Sequence, residues 1–265
     1  MSAVRFTQAI VRPPGASFVD GLTTAAALGA PELARARAQH QAYVAALRSC
    51  GLQVTELAPD ETYPDSTFVE DTAVISQRVA VATRPGAPTR AGEVTAIAAA
   101  LRGLGREPVH IQAPGTVDGG DICQMDDHFL IGVSARTNEN GANQLADILR
   151  RQGYRTSLID VRTVPGLLHL KSGLSYLGDQ RMMVAPGMPR AGALAAALAG
   201  IERIEVDRRE SYAANCVRVN DKVLIASGFP HIAATLAARG IATISLEMSE
   251  FQKMDGGLSC LSLRF

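Results

Sequence analysis

The four cysteines of this chain, at positions 50, 123, 216 and 260, form no CxxC or CxxH pair. That absence argues against a zinc site, and their wide separation argues against a disulfide framework, so a reducing compartment is expected. Neither sign of charge is in excess, with 26 Lys plus Arg against 26 Asp plus Glu. No overall field then favours nucleic acid or an acidic membrane surface. The stretch Met1-Ser-Ala-Val-Arg-Phe-Thr-Gln8 has no apolar h-region, and no uninterrupted apolar run approaches about 18 residues. A cytoplasmic protein without a membrane partner is expected. GxGxxG and Walker loops are missing too, which leaves a doubly wound nucleotide-binding fold without its phosphate cradle. What remains is an ordinary globular composition, 47% hydrophobic and 20% charged, and a length that one α/β domain can fill. A single domain over residues 1–265 is the expectation.

Against that background a repeat stands out. The segment Arg84-Pro-Gly-Ala-Pro-Thr-Arg-Ala-Gly-Glu-Val-Thr-Ala-Ile-Ala-Ala-Ala-Leu101 recurs in shorter form as Ala185-Pro-Gly-Met-Pro-Arg-Ala-Gly-Ala-Leu-Ala-Ala-Ala-Leu198. Looser copies begin at Arg12, Ser134 and Ser227. Each follows an apolar strand pattern such as Lys222–Ala226, and each precedes an Ala/Leu-rich helix pattern and a short strand such as Gln53–Leu57. A further strand is predicted to open each unit, around Phe68, Val117, Leu170, Ala213 and Ser259, at steps of 49, 53, 43 and 46 residues. The fifth opening strand lies at the carboxyl end, so the amino-terminal segment must complete its unit. These features predict an α/β fold, a closed pseudo-fivefold ring of strand–strand–helix–strand modules. An all-β propeller has similar periods but no helix in each blade. One copy breaks the period: about 20 extra residues follow Arg12-Pro-Pro-Gly15, with Gly21 as a pivot and Phe18 or Leu22 as an apolar tip. That insertion reads either as a lid or as a tolerated surface loop.

The opening segments would converge on the axis of such a ring, and they carry reactive groups. They bring Asp65, Phe68, Glu70 and Asp71, then Asp118 and Asp121, His169, Asn215, and finally Cys260. In the last seven residues Leu261, Leu263 and Phe265 alternate with Cys260, Ser262 and Arg264. A cysteine used as filler would side with the leucines, whereas Cys260 sits with the polar residues just after Gly256-Gly257. One cysteine, one histidine and several carboxylates at matched positions suit nucleophilic attack on a cationic substrate. Taken singly, Cys260 could be inert and His169, between Leu168 and Leu170, a satisfied core residue. Arg90, after Thr89 as N-cap, and Arg136, before a helix capped by Thr137 or Asn138, put cations at helix starts, where they are disfavoured. A ligand carboxylate would reverse that penalty. Arg190 holds the same place, so a preference of the repeat itself is the alternative. Carboxylates at one end and arginines at the other fit a zwitterionic amino acid with a cationic side chain.

These residues together resemble the dimethylarginine dimethylaminohydrolases of the guanidino-group-modifying, or pentein, superfamily. The stretches that carry the resemblance are Val19-Asp-Gly-Leu22, Pro64-Asp-Ser-Thr-Phe-Val-Glu-Asp71, Thr116-Val-Asp-Gly-Gly-Asp121, Ser134-Ala-Arg-Thr-Asn138, His169-Leu-Lys171, Ser211-Tyr-Ala-Ala-Asn-Cys216 and Asp255-Gly-Gly-Leu-Ser-Cys-Leu-Ser-Leu-Arg-Phe265. The resemblance implies a five-module α/β propeller that hydrolyses Nω-methylated arginines to citrulline and methylamine or dimethylamine. By position it implies Cys260 as nucleophile, His169 as acid/base and Asp118 as the acid that orients it. Asp71 would bind the guanidinium with Glu70 in support, and Asp65 and the Leu22 loop the α-amino group. Arg90 and Arg136 would bind the carboxylate, and Phe68 would pack on the substrate's stem.

No cofactor or metal is implied, and the partner is a small molecule. A homodimer could use an exposed sheet or helix face, which nothing in the sequence identifies. Arginine deiminases share the mechanism but typically place an acid two residues after the histidine, where this chain has Lys171. One acceptor fewer suits a terminal nitrogen that carries methyl groups and no N–H. A non-catalytic binding protein on the same scaffold is the alternative from another class; it should lack the Cys–His–acid set. Carboxylates around Cys260 predict a thiol protonated at rest, ionising as the substrate cation arrives.

Overall fold

The computed structural model describes residues 4–265, so the first three residues of the amino-terminal stretch considered above lie outside it. The chain divides into two compact units, Asp71–Ala214 and Arg5–Glu70 with Asn215–Phe265. No helix among the described residues is long and apolar enough to cross a membrane.

The first unit holds three three-stranded sheets. In one, Ala73–Ile75 pairs antiparallel with Ala80–Ala82, which runs parallel to Val109–His110. Ile122–Met125, His128–Val133 and Arg155–Asp160 repeat that order, as do Leu174–Gly178, Arg181–Val184 and Glu202–Glu205. A helix makes each parallel crossover: Glu93–Gly103, Glu139–Arg151 and Gly192–Ala197. The strands are short and apolar, and His128–Val133 is buried along its whole length. Leu145 and Leu149 of helix Glu139–Arg151 are fully buried, each worth about 1.5–3 kcal/mol, in a cluster that includes Phe129, Ile131 and Tyr154. The helix docks so closely that a Cβ at Gly141 would lie 2.1 Å from the Thr116 carbonyl oxygen. Its first turn is closed by the Asn138 side chain, which accepts the Gly141 N–H at 2.8 Å.

The second unit repeats the module twice. Val217–Val219, Lys222–Ala226 and Thr243–Leu246 form one sheet, crossed over by helix Pro230–Ala237. The other joins the two ends of the chain: Leu263–Arg264 pairs antiparallel with Gln8–Val11, which runs parallel to Gln53–Glu56 after helix Leu33–Ser49. The module count and strand order are those of the five-module α/β fold expected from the repeat.

The opening strands differ from expectation. The segments at Val69–Thr72, Gly119–Asp121, Leu170–Gly173 and Ser259–Leu261 are single helical turns, Arg208–Ala214 is two turns that meet at a kink at Glu210, and the strands begin just after them. Polar side chains explain the shift. Asp, Ser and Asn bond nearby backbone and compete with a sheet ladder. A turn also removes the constraint of strand alternation: Glu70 and Asp71 are adjacent, yet both are buried.

Candidate active site

In the first unit, His169 sits at the start of the turn Leu170–Gly173 and is buried. Its Nε2 lies 3.0 Å from Asp118 Oδ2. The other Asp118 oxygen accepts the Gly86 N–H at 2.7 Å, which fixes the carboxylate in place. With Nε2 committed to Asp118, exchange of a proton with a substrate falls to Nδ1. Gly120 leaves room there: a Cβ on it would stand 2.7 Å from Nδ1. Asp71 follows the same plan, its Oδ1 accepting the Gly120 N–H at 2.8 Å and its Oδ2 receiving Arg90 Nη1. Asp121 is held by the Ser134 hydroxyl at 2.7 Å and by the Leu170 N–H at 2.9 Å. It therefore secures the turn that carries His169.

Burial, the largest influence on His169, opposes its charged form, but Asp71, the Asp118 hydrogen bond and Asp121 together outweigh it and hold the imidazole up to about 9. Burial likewise works against the Asp71 carboxylate, yet His169 and Arg90 pull it down to about 2. For Asp121 burial wins and pushes the group above the usual carboxylate range. Asp71, Asp118 and His169 bring potential ligand atoms within 4.8 Å of one another. Their atoms are already occupied by Arg90, Gly120, Gly86 and each other, which suits a proton-handling cluster better than a cation cage.

The raised imidazole has a consequence for stability. Folding favours protonated His169, so its contribution is complete below about 6.5 and is lost as pH rises towards about 9. Denaturant unfolding should show a loss of up to about 3 kcal/mol across that window, and His169→Gln should flatten the slope. Stability that stays level or rises from pH 6.5 to 9 in the unmodified protein would contradict this assignment.

Arg90 is not in the first turn of an α-helix, and Thr89 does not cap one. Pro88–Arg90 is a separate 3-10 turn, and the helix starts at Glu93 with Gly92 as its cap. The guanidinium is buried, its Nε and Nη2 gripping both oxygens of Glu93 at 2.9 and 2.7 Å while Nη1 holds Asp71. The two carboxylates raise the Arg90 pKa well above its ordinary value against the opposing effect of burial, the largest influence. Arg136 is more accessible and comes within 4.0 Å of Asp118. Arg190 pairs with Glu205 at an exposed surface.

In the second unit, Cys260 lies in the turn Ser259–Leu261 and is partly exposed. Its Sγ accepts the Gly257 N–H at 3.4 Å, and its own N–H donates to the Gly257 carbonyl at 3.2 Å. Glu70 accepts the Ser259 hydroxyl at 2.8 Å, with Arg264 at 3.8 Å. Ser262, grouped with Cys260 and Arg264 by the alternation, is buried and bonded to the Tyr43 hydroxyl at 2.6 Å.

Asp65 accepts the Leu22 N–H at 3.0 Å, and a Cβ at Gly21 would lie 2.7 Å from the same carboxylate. Phe68 packs with Phe18 and Phe251 at ring-centroid distances of 6.2 and 6.3 Å, and its edge lies against bare backbone at Gly256. Of the two apolar tips suggested for the insertion, Phe18 is fully buried as an anchor, and Leu22 is exposed. Thr23 and Thr24 tie the insertion to Lys253 and Asp255. Glu93, Ser259 and Arg264 hold Arg90 and Glu70 in place, and of the three only Glu93 has a local signal for that role, an acid three residues after Arg90.

Several known proteins are similar to this chain. A family model described as arginine deiminase matches residues 103–205. The N(G),N(G)-dimethylarginine dimethylaminohydrolase of Pseudomonas aeruginosa is 42% identical over 261 residues, covering 98% of this chain and 100% of the relative. That of Streptomyces coelicolor is 32% identical over 257 residues, covering 97% and 96%. A solved structure of the Pseudomonas aeruginosa enzyme, a cysteine-to-serine mutant complexed with citrulline, superimposes with a TM-score of 0.91 at 41% identity, covering 99% of this chain and 100% of that one. Identity of this extent along the whole of both chains shows that the protein belongs to the dimethylarginine dimethylaminohydrolase family.

Proposed function

We propose that the protein hydrolyses Nω-methylated arginines to citrulline and methylamine or dimethylamine through a covalent intermediate on Cys260. The observation that carries this reading is His169, a buried imidazolium bonded through Nε2 to Asp118 and flanked by Asp71 and Asp121. It stores a proton at neutral pH for a departing amine, and its relatives include an enzyme solved with citrulline.

In the proposed reaction the Cys260 thiolate attacks the guanidinium carbon. The C–N bond to the methylated nitrogen breaks, and that nitrogen leaves as neutral amine with the proton from His169 Nδ1. The thiouronium left on Cys260 is attacked by water, which yields a proton to the same nitrogen. The C–S bond then breaks as the hydroxyl proton of the tetrahedral adduct passes to solvent, returning the sulfur as thiolate and releasing neutral citrulline. Asp71 is assigned to the guanidinium and Glu70 to its support. Asp65 and the Leu22 backbone are assigned to the α-amino group, Phe68 to the stem, and Arg136 with Arg90 to the carboxylate. Because Arg90 already binds Asp71 and Glu93, Arg136 takes the larger share of that carboxylate. No cofactor enters the scheme. Four unbridged cysteines suit a reducing cytoplasm, where we place the protein.

The test is a product assay with asymmetric dimethylarginine, monomethylarginine and arginine in parallel. Citrulline with dimethylamine from the first is the expected result. Citrulline from arginine alone would instead assign a deiminase.

A further inference from the structure

Asn215 lies outside every role assigned so far, yet it is buried directly under the turn that carries Cys260. Its Oδ1 accepts the Ser259 N–H at 2.9 Å, and its Nδ2 donates to Ser259 Oγ at 3.1 Å. Ser259 Oγ in turn donates to Glu70 Oε2 at 2.8 Å. The polarity of this chain is forced. A backbone N–H can only donate, so the amide oxygen must face it and the amide nitrogen must face the hydroxyl. The hydroxyl, already accepting from Nδ2, has one proton, and that proton points at Glu70. The packing is as tight as the bonding: a Cβ at Gly257 would lie 2.5 Å from Asn215 Cγ. Gly257 is also the residue whose N–H meets the Cys260 sulfur and whose carbonyl accepts the Cys260 N–H. One side chain therefore seats the turn at Gly257 and Ser259 and sets the direction of the bond to Glu70.

We propose that Asn215 is a positioning residue of the hydrolase, fixing the Cys260 turn and, through Ser259, orienting Glu70 as an acceptor. The inference rests on the reaction proposed above for the roles of Cys260 and Glu70. Asparagine is required chemically as well as sterically, because aspartate has the same shape but no donor. In Asn215→Asp the Ser259 N–H keeps an acceptor, while the second oxygen draws the Ser259 proton away from Glu70. It also places a new negative charge beside the turn, which disfavours the thiolate. Ser259→Ala keeps the backbone bond to Asn215 and removes both bonds of the hydroxyl, the one accepted from Asn215 Nδ2 and the one donated to Glu70.

The experiment compares the two variants with the unmodified protein in three measurements: steady-state kinetics with monomethylarginine, the pH profile of kcat/KM, and the rate of iodoacetamide labelling on the peptide bearing Cys260. For Asn215→Asp we expect kcat/KM to fall by about 100-fold, the acid limb to move to higher pH, and labelling to slow about tenfold. For Ser259→Ala we expect KM to rise about tenfold with labelling unchanged. A folded Asn215→Asp protein with unmodified kinetics, pH profile and labelling would overturn the proposal. Should that variant fail to fold, Ser259→Ala with an unchanged KM overturns it instead. If the unmodified protein releases no citrulline at all, the reaction reading falls, while the labelling rates still decide whether Asn215 holds the Cys260 turn.

Discussion

Cys260→Ser will release citrulline at a rate lower by on the order of 10^4-fold or more, with the melting temperature close to that of the unmodified protein. The expectation follows from what the sulfur does and does not do in the fold. Its contact with the Gly257 N–H is one that a serine hydroxyl can accept, so the turn Ser259–Leu261 should persist. The turn is also secured by Ser259 and by the backbone bond to Gly257, neither of which involves the side chain at 260. Nucleophilicity is what changes. A hydroxyl does not ionise near neutral pH, and delivery of a proton to the leaving amine cannot compensate for a nucleophile that never forms. Residual turnover within about tenfold of the unmodified rate would place the nucleophile elsewhere in the chain.

Arg90→Leu should cost about 3–5 kcal/mol of stability, the largest loss expected from any single change at the site. The guanidinium is buried between Asp71 and Glu93, so its removal takes the cationic partner from two buried carboxylates. In a chain of this length such a loss lowers the melting temperature by about 10 °C. Asp71 would also lose one of the two charges that hold it near 2, so its pKa would rise. Arg90→Lys should recover only part of the loss, because an ammonium cannot grip both Glu93 oxygens while reaching Asp71. Arg90→Leu combined with Glu93→Leu should be less damaging than the sum of the two. Near-normal melting of Arg90→Leu would mean that the buried pairs contribute nothing to the fold.

Much of this architecture is written locally. The Pro-Gly start of three of the five helix segments and the apolar strands before all five recur in the sequence itself, so the module count and the sharing of one sheet by both chain ends are legible there. The reactive residues were equally visible, because they recur at matched places in the repeat. What escaped was the conformation of those places. Thr67–Asp71 and Ser259–Ser262 look like alternating strands, but side-chain bonds to backbone, and long-range acceptors such as Asn215, favour a turn. The Ser259–Asn215 bond spans 44 residues, and the Ser259–Glu70 bond 189. Neither separation leaves a periodic trace. Arg90 was misplaced for a related reason: a cation near a helix start suggests a bound anion, and here the chain supplies that anion from Asp71 and Glu93.

Rapid acid quenching of the protein during turnover of monomethylarginine, followed by peptide mass spectrometry, tests the central claim most directly. The account predicts that the peptide containing Cys260 gains the mass of the substrate less its methylamine, and that the added group is absent from the peptides of Cys50, Cys123 and Cys216. Citrulline formed with no adduct on Cys260 at any quench time, or with the adduct on another residue, would contradict it.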